Sequence, residues 1–144
     1  MPDIFISYSS KDRAFVVPMV EYFERTGLEV WWDQRIDAGS SYARDIEDAL
    51  DAAQTVVVLW SRHSVQSDWV RAEANEGHTR GILVPVLIDD TRPPLIFRAL
   101  QGIPCRFGNN ADFAELIAAI GQIAPALKKK QVALTEKITA SENQ

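Results

Sequence analysis

A chain of 144 residues with 47% apolar and 24% charged residues has an ordinary soluble globular balance and suits one domain with a single core. Its formal net charge of −5 argues against nucleic acid as a bulk partner, because phosphate-backbone binding draws on clustered Lys and Arg. A single cysteine, Cys105, excludes an internal disulfide and fits a reducing compartment.

The first residues, MPDIFISYSS, lack the basic flank and apolar stretch of a secretory leader. No window reaches the roughly 18–20 apolar residues of a membrane span. The expectation is a soluble, cytoplasmic domain with no membrane partner. DIFISY (Asp3–Tyr8) reads as the first strand, and Ser10 as an N-cap. Phe15, Met19, Tyr22 and Phe23 then follow helical spacing up to Gly27. Pro18 inside that pattern predicts a kink or a later first turn.

LEVWW (Leu28–Trp32) is the second strand, followed by a polar loop, Asp33–Ser41, that contains Gly39. A helix follows with Ile46, Ala49, Leu50 and Ala53 on one stripe, and TVVVLW (Thr55–Trp60) is a buried β-branched strand. Ser67 starts the next helix, which carries Trp69 and Glu73 four residues apart and so on one face. ILVPVLID (Ile82–Asp89) is a strand whose Pro85 argues for an edge or a bulge. IPCRF (Ile103–Phe107) is a short fifth strand with a buried Cys105. Asn110 caps a helix with Phe113, Leu116, Ile117 and Ile120 on one stripe. The domain is expected over residues 1–121, and 122–144 reads as a polar linker or tail leading elsewhere.

Strand–helix alternation with short connections predicts an α/β fold: a five-stranded parallel sheet covered by helices on both faces, in the flavodoxin-like order 2-1-3-4-5. Ligands in such sheets bind beyond the carboxyl ends of the strands, where the order reverses, here between the first and third. That places Tyr8, Trp32, Asp33, Trp69 and Glu73 near one cleft. SYSSKD contains no glycine, so a phosphate-cradling loop is missing there. His63, His78 and Cys105 cannot supply a metal set of the usual spacing. A phosphoacceptor receiver would want aspartates where Ser7, Tyr8 and Trp60 stand.

The segments DIFISYSSKD, GLEVWWDQRIDAGSSYARDIEDAL and TVVVLWSRHSVQSDWVRAE resemble, in order and spacing, a Toll/interleukin receptor (TIR) domain of the bacterial type, over Asp3 to Ile120. Within that family some members only associate with other TIR domains, and others cleave the nicotinamide–ribose bond of NAD. The resemblance makes Glu73 the catalytic candidate, in Trp69-Val70-Arg71-Ala72-Glu73. It implies Tyr8, Ser9, Trp32, Asp33, Tyr42 and Trp69 as substrate contacts. Asp37, Ala38, Gly39 and Ser40 fall in the implied self-association loop. NAD is then a substrate, with no cofactor and no metal, and other TIR domains are partners.

The chemistry fits one carboxylate. Nicotinamide in NAD is cationic and leaves without protonation, so the paired acid of ordinary glycoside hydrolysis is unnecessary. An oxocarbenium-like ribose needs an anion beside it. Arg35, Arg44 and Lys11 are alternatives for the pyrophosphate. A non-catalytic interaction module and a nucleotide sensor that does not cleave are the competing readings. Trp60 is expected to narrow the cleft, and no basic residue directly follows Tyr8.

Overall fold

The computed structural model describes residues 2–32, 40–128 and 130, with residues 40–43 described by their backbone alone. Five parallel strands, β1 (Ile4–Ser7), β2 (Val30–Trp32), β3 (Thr55–Trp60), β4 (Leu83–Leu87) and β5 (Ile103–Pro104), form one sheet in the order β2-β1-β3-β4-β5. The expected order is therefore present. Helices α1 (Arg13–Arg25), α2 (Ser40–Ala52), α3 (Asp68–Thr79) and α4 (Asn110–Ile123) connect or follow the strands.

Two core clusters cover the two faces. Ile4, Ile6 and Tyr8 from β1 and its end, with Val57 and Leu59 of β3, pack against α1 and α4 through Met19, Phe23, Phe113 and Leu116. Phe5 of β1, with Val56, Val58 and Trp60 of β3, packs against α2 and α3 through Ile46, Leu50, Val70 and Ala74. Alternate strand residues thus serve opposite faces, as the pleat requires. Trp31 stacks on Phe5 at 5.1 Å, and Trp60 packs on Phe97 with ring centroids 5.2 Å apart.

Several local expectations move by a residue or more. Ser9, rather than Ser10, caps the first helical turn by accepting from the Lys11 amide, and α1 itself starts at Arg13. Pro18 lies within α1; the helix forgoes one hydrogen bond there, to the carbonyl of exposed Ala14. Asn109, not Asn110, caps α4 by accepting from the Asp112 amide. Pro85 is neither at an edge nor at a bulge, since β4 runs between β3 and β5. Ile82 and Ile88 bond toward β3, whereas Leu87 accepts from Cys105 on the β5 side. The residues of odd number in β4 therefore face β5, which pairs only from Val86 onward. Pro85 precedes that pairing, so its missing N–H costs no ladder bond.

The core also extends past the expected boundary at 121. Ala124 and Leu127 are buried in the α1–α4 cluster, and Lys130 pairs with Asp3 at 2.7 Å. An apolar pair inside a polar-looking segment carries little periodic signal. Gly77 marks a close approach of α3 to the sheet: a Cβ there would lie 2.8 Å from Cβ of Val56. No described helix is long and apolar enough to cross a membrane.

Cys105 is a buried free thiol, as expected. Burial, and then the charges of Asp112 and Glu115, push it from its ordinary value near 9.0 up to about 12. A thiol whose folded value is raised stays protonated while the unfolded chain ionises, so stability is complete below pH 9 and falls as pH rises toward 12. At pH 8 the native thiol is expected to resist a thiol-specific chromogenic reagent, and to react fully once guanidinium unfolds the chain.

Candidate active site

Glu73 lies on the buried stripe of α3 with Val70, Ala74 and Gly77, the i, i+3, i+4, i+7 set of one helix face. Ser67 starts the helix by accepting from the Val70 amide at 3.2 Å. This stripe faces β3 and β1, so Glu73 is only 4% exposed. Its Oε1 accepts a hydrogen bond from Ser7 Oγ, at the carboxyl end of β1, at 2.7 Å. Such a short bond is typical of a hydroxyl donating to a carboxylate.

Trp69, one turn earlier and 44% exposed, joins Glu73 in lining a pocket of about 410 Å³ between α2 and α3. Ile46, Leu50 and Ala72 give it apolar wall, and Glu47, Asp51 and Glu76 add carboxylates. The described lining residues are thus acidic or uncharged, which gives this part of the pocket a negative potential. Its volume falls in the range of small-molecule sites, roughly 300–1,000 Å³. Arg80, just past α3, donates to the carbonyls of Leu50 at 2.8 Å and Ala53 at 3.0 Å. That guanidinium ties the end of α2 to the end of α3 and so fixes the two walls of the pocket relative to each other.

A family model described as "TIR domain" matches residues 4–117. The chain belongs to the TIR-domain family. This TIR domain is 30% identical over 82 residues to "NAD(+) hydrolase TcpC" of Escherichia coli, covering 56% of this chain and 27% of that protein. It is 29% identical over 91 residues to "2' cyclic ADP-D-ribose synthase AbTIR" of Acinetobacter baumannii, covering 58% and 34%. The chain therefore spans about a quarter to a third of these relatives' length. Among solved structures, the TIR domain of a Toll-related receptor from Hydra magnipapillata is similar in fold, with a TM-score of 0.71 and 21% identity over 83% of this chain and 98% of that one.

The TIR domain does not gather every expected contact residue at this pocket. Tyr8 is buried in the α1–α4 cluster, and Trp32 packs against that same cluster with the Arg13 guanidinium 5.1 Å from its ring. Both therefore sit on the opposite face of the sheet from Glu73. Ser9 faces Lys11 as a cap. Trp60 is fully buried and lines no part of the pocket, so it does not narrow it. Asp33, Arg35, Asp37, Ala38 and Gly39 lie outside the described residues. Ser40 and Tyr42 fall on the first turn of α2, and their side chains also lie outside the description.

The crevice between the carboxyl ends of β1 and β3 is a separate open groove, lined by Lys11, Asp12, Phe15, Arg62, His63 and Asp89 among others. Asp12 accepts there from Ser61 at 2.5 Å. Burial raises the Asp89 carboxyl, but the Arg62 and Thr91 amides that donate to it outweigh this and hold it below the usual carboxylate range. Among the described residues no cluster of His, Cys, Asp and Glu is arranged to hold a metal ion. Ser7, which donates to Glu73, is a residue of this site that sequence reasoning did not single out. The alternation of Phe5 and Ser7 against Ile4, Ile6 and Tyr8 was the available signal.

Proposed function

We propose that this TIR domain cleaves the nicotinamide–ribose bond of NAD, with Glu73 as the catalytic carboxylate. The observation that carries the reading is a glutamate only 4% exposed yet opening on a pocket beside Trp69. A charge is withheld from water at such a cost only where it has a partner or a task. The names of the two bacterial relatives, a NAD(+) hydrolase and a cyclic ADP-ribose synthase, support the same chemistry.

In this reading the cationic nicotinamide–ribose half enters the acidic pocket, and Trp69 stacks on the ring. The C1′–N bond breaks, its electron pair leaves with nicotinamide, and Glu73 stabilises the positive charge left on the ribose. Water then attacks C1′ and loses a proton to solvent to give ADP-ribose, or a nucleophile of the same molecule's adenosine half attacks to give a cyclic isomer. The pyrophosphate, in this reading, stays outside the acidic pocket and is met by Arg35, Arg44, Lys11 or a second subunit. The remaining substrate contacts are then left to Asp33, Tyr42 or a neighbouring copy, since Tyr8 and Trp32 lie on the other face of the sheet and Ser9 serves as a cap. Self-association through Asp33–Ser41 raises activity by completing the pocket.

Incubation of the purified protein with NAD, following nicotinamide by chromatography, tests this. Nicotinamide should accumulate, and specific activity should rise with protein concentration. The rival reading, a module that only associates, draws on the exposed Leu95, Ile96 and Phe107. Oligomers with no turnover at any concentration would favour it.

A further inference from the structure

We infer that Ser7 is a positioning residue for the reaction, holding Glu73 in its working rotamer by the hydrogen bond from its hydroxyl to Oε1. The inference deepens the NAD-cleaving reading and rests on it. Ser7 is 0% exposed, occupies the last position of β1, and projects to the α2–α3 face with Phe5. A serine hydroxyl has one proton to give, and here it is directed at Glu73 at 2.7 Å. The contact spans 66 residues of sequence and joins a central strand to α3, so the strand's rigidity passes to the carboxylate. A free glutamate has three side-chain torsions, and each unproductive rotamer subtracts from the reactive population. A donated bond also favours the ionised carboxylate, the form that stabilises a cationic ribose.

Among the described residues, the other titratable groups at the pocket are Glu47 and Asp51 from α2 and Glu76 from α3. All three remain in a Ser7 variant, so a difference between the pH profiles of variant and parent reports the Ser7 contact. Ser7→Ala removes the donor and one oxygen from a buried site without adding bulk. It is expected to lower kcat for nicotinamide release by about tenfold, the scale of one charge-assisted hydrogen bond. KM should stay within about twofold, and the acid limb of the kcat profile should move to higher pH. Ser7→Thr, which keeps the hydroxyl, should restore both.

The test is steady-state kinetics from pH 4.5 to 8 on the full chain, with melting curves for each variant and a carbon-13 titration of the Glu73 carboxyl. Should Ser7→Thr fail to fold, Ser7→Ala and the carboxyl titration still decide. A Ser7→Ala enzyme with parental kcat, or with kcat lowered equally at all pH and an unmoved carboxyl titration, overturns the positioning role and leaves the NAD-cleaving reading intact. A parent that releases no nicotinamide overturns that reading and this inference together.

Discussion

Replacing Glu73 by glutamine is expected to lower nicotinamide release by about three orders of magnitude while leaving the fold intact. One charge about 4 Å from a developing cation, at an effective dielectric near 20, is worth about 4 kcal/mol, and each 1.36 kcal/mol is a decade. Glutamine keeps the shape of the side chain and an oxygen that can accept from Ser7. Its neutral amide lacks the charge, so the loss should appear in kcat far more than in KM. Single-turnover release under saturating NAD, beside a melting curve, reads both quantities. Parental turnover from Glu73→Gln would remove the carboxylate from the mechanism.

The second large effect concerns stability. Trp60 is fully buried at the end of β3, where it packs on Phe97 and closes the α2–α3 face. Trp60→Ala is expected to cost about 3–5 kcal/mol, since the cavity left behind closes only in part. For a domain of this length that corresponds to a melting temperature lower by on the order of 10 °C. A loss below about 1 kcal/mol in urea unfolding would mean that Phe97 and its neighbours collapse into the space. Because Trp60 lines no part of the pocket, the folded fraction should keep its turnover.

The strands were legible because β-branched runs such as TVVVLW have few alternatives to a buried strand, and because strand–helix alternation constrains their order. Glu73 was singled out by the resemblance, in Trp69-Val70-Arg71-Ala72-Glu73; the buried helix stripe it shares with Val70, Ala74 and Gly77 came from the structure. The faces of the sheet were not. In a sheet covered on both sides nearly every strand residue is apolar, so Ile4 and Ile6 look much like Phe5 between them. Topology located the end of β1 but not which side chain turns which way. That is why Tyr8 was expected beside Glu73, on the face to which Ser7 turns, and Trp32 on the face where Trp31 packs. Pro85 misled for a related reason: a proline offends only the neighbour toward which its nitrogen points, and β5 starts pairing one residue later.

The contact between Gly77 and Val56 has a consequence for how the glutamate is seated. Gly77 follows Glu73 by one helical turn on the same stripe, and nothing but a hydrogen separates its Cα from the valine below. The height of the carboxylate over the sheet is thus set by backbone against side-chain root, with no soft filler between them to compress or swing aside. A methyl group at position 77 would act as a shim under the helix, lifting Glu73 away from the strand that steadies it. Shaving the valine to alanine would not undo this, because the atom in the way is its Cβ, which only glycine lacks.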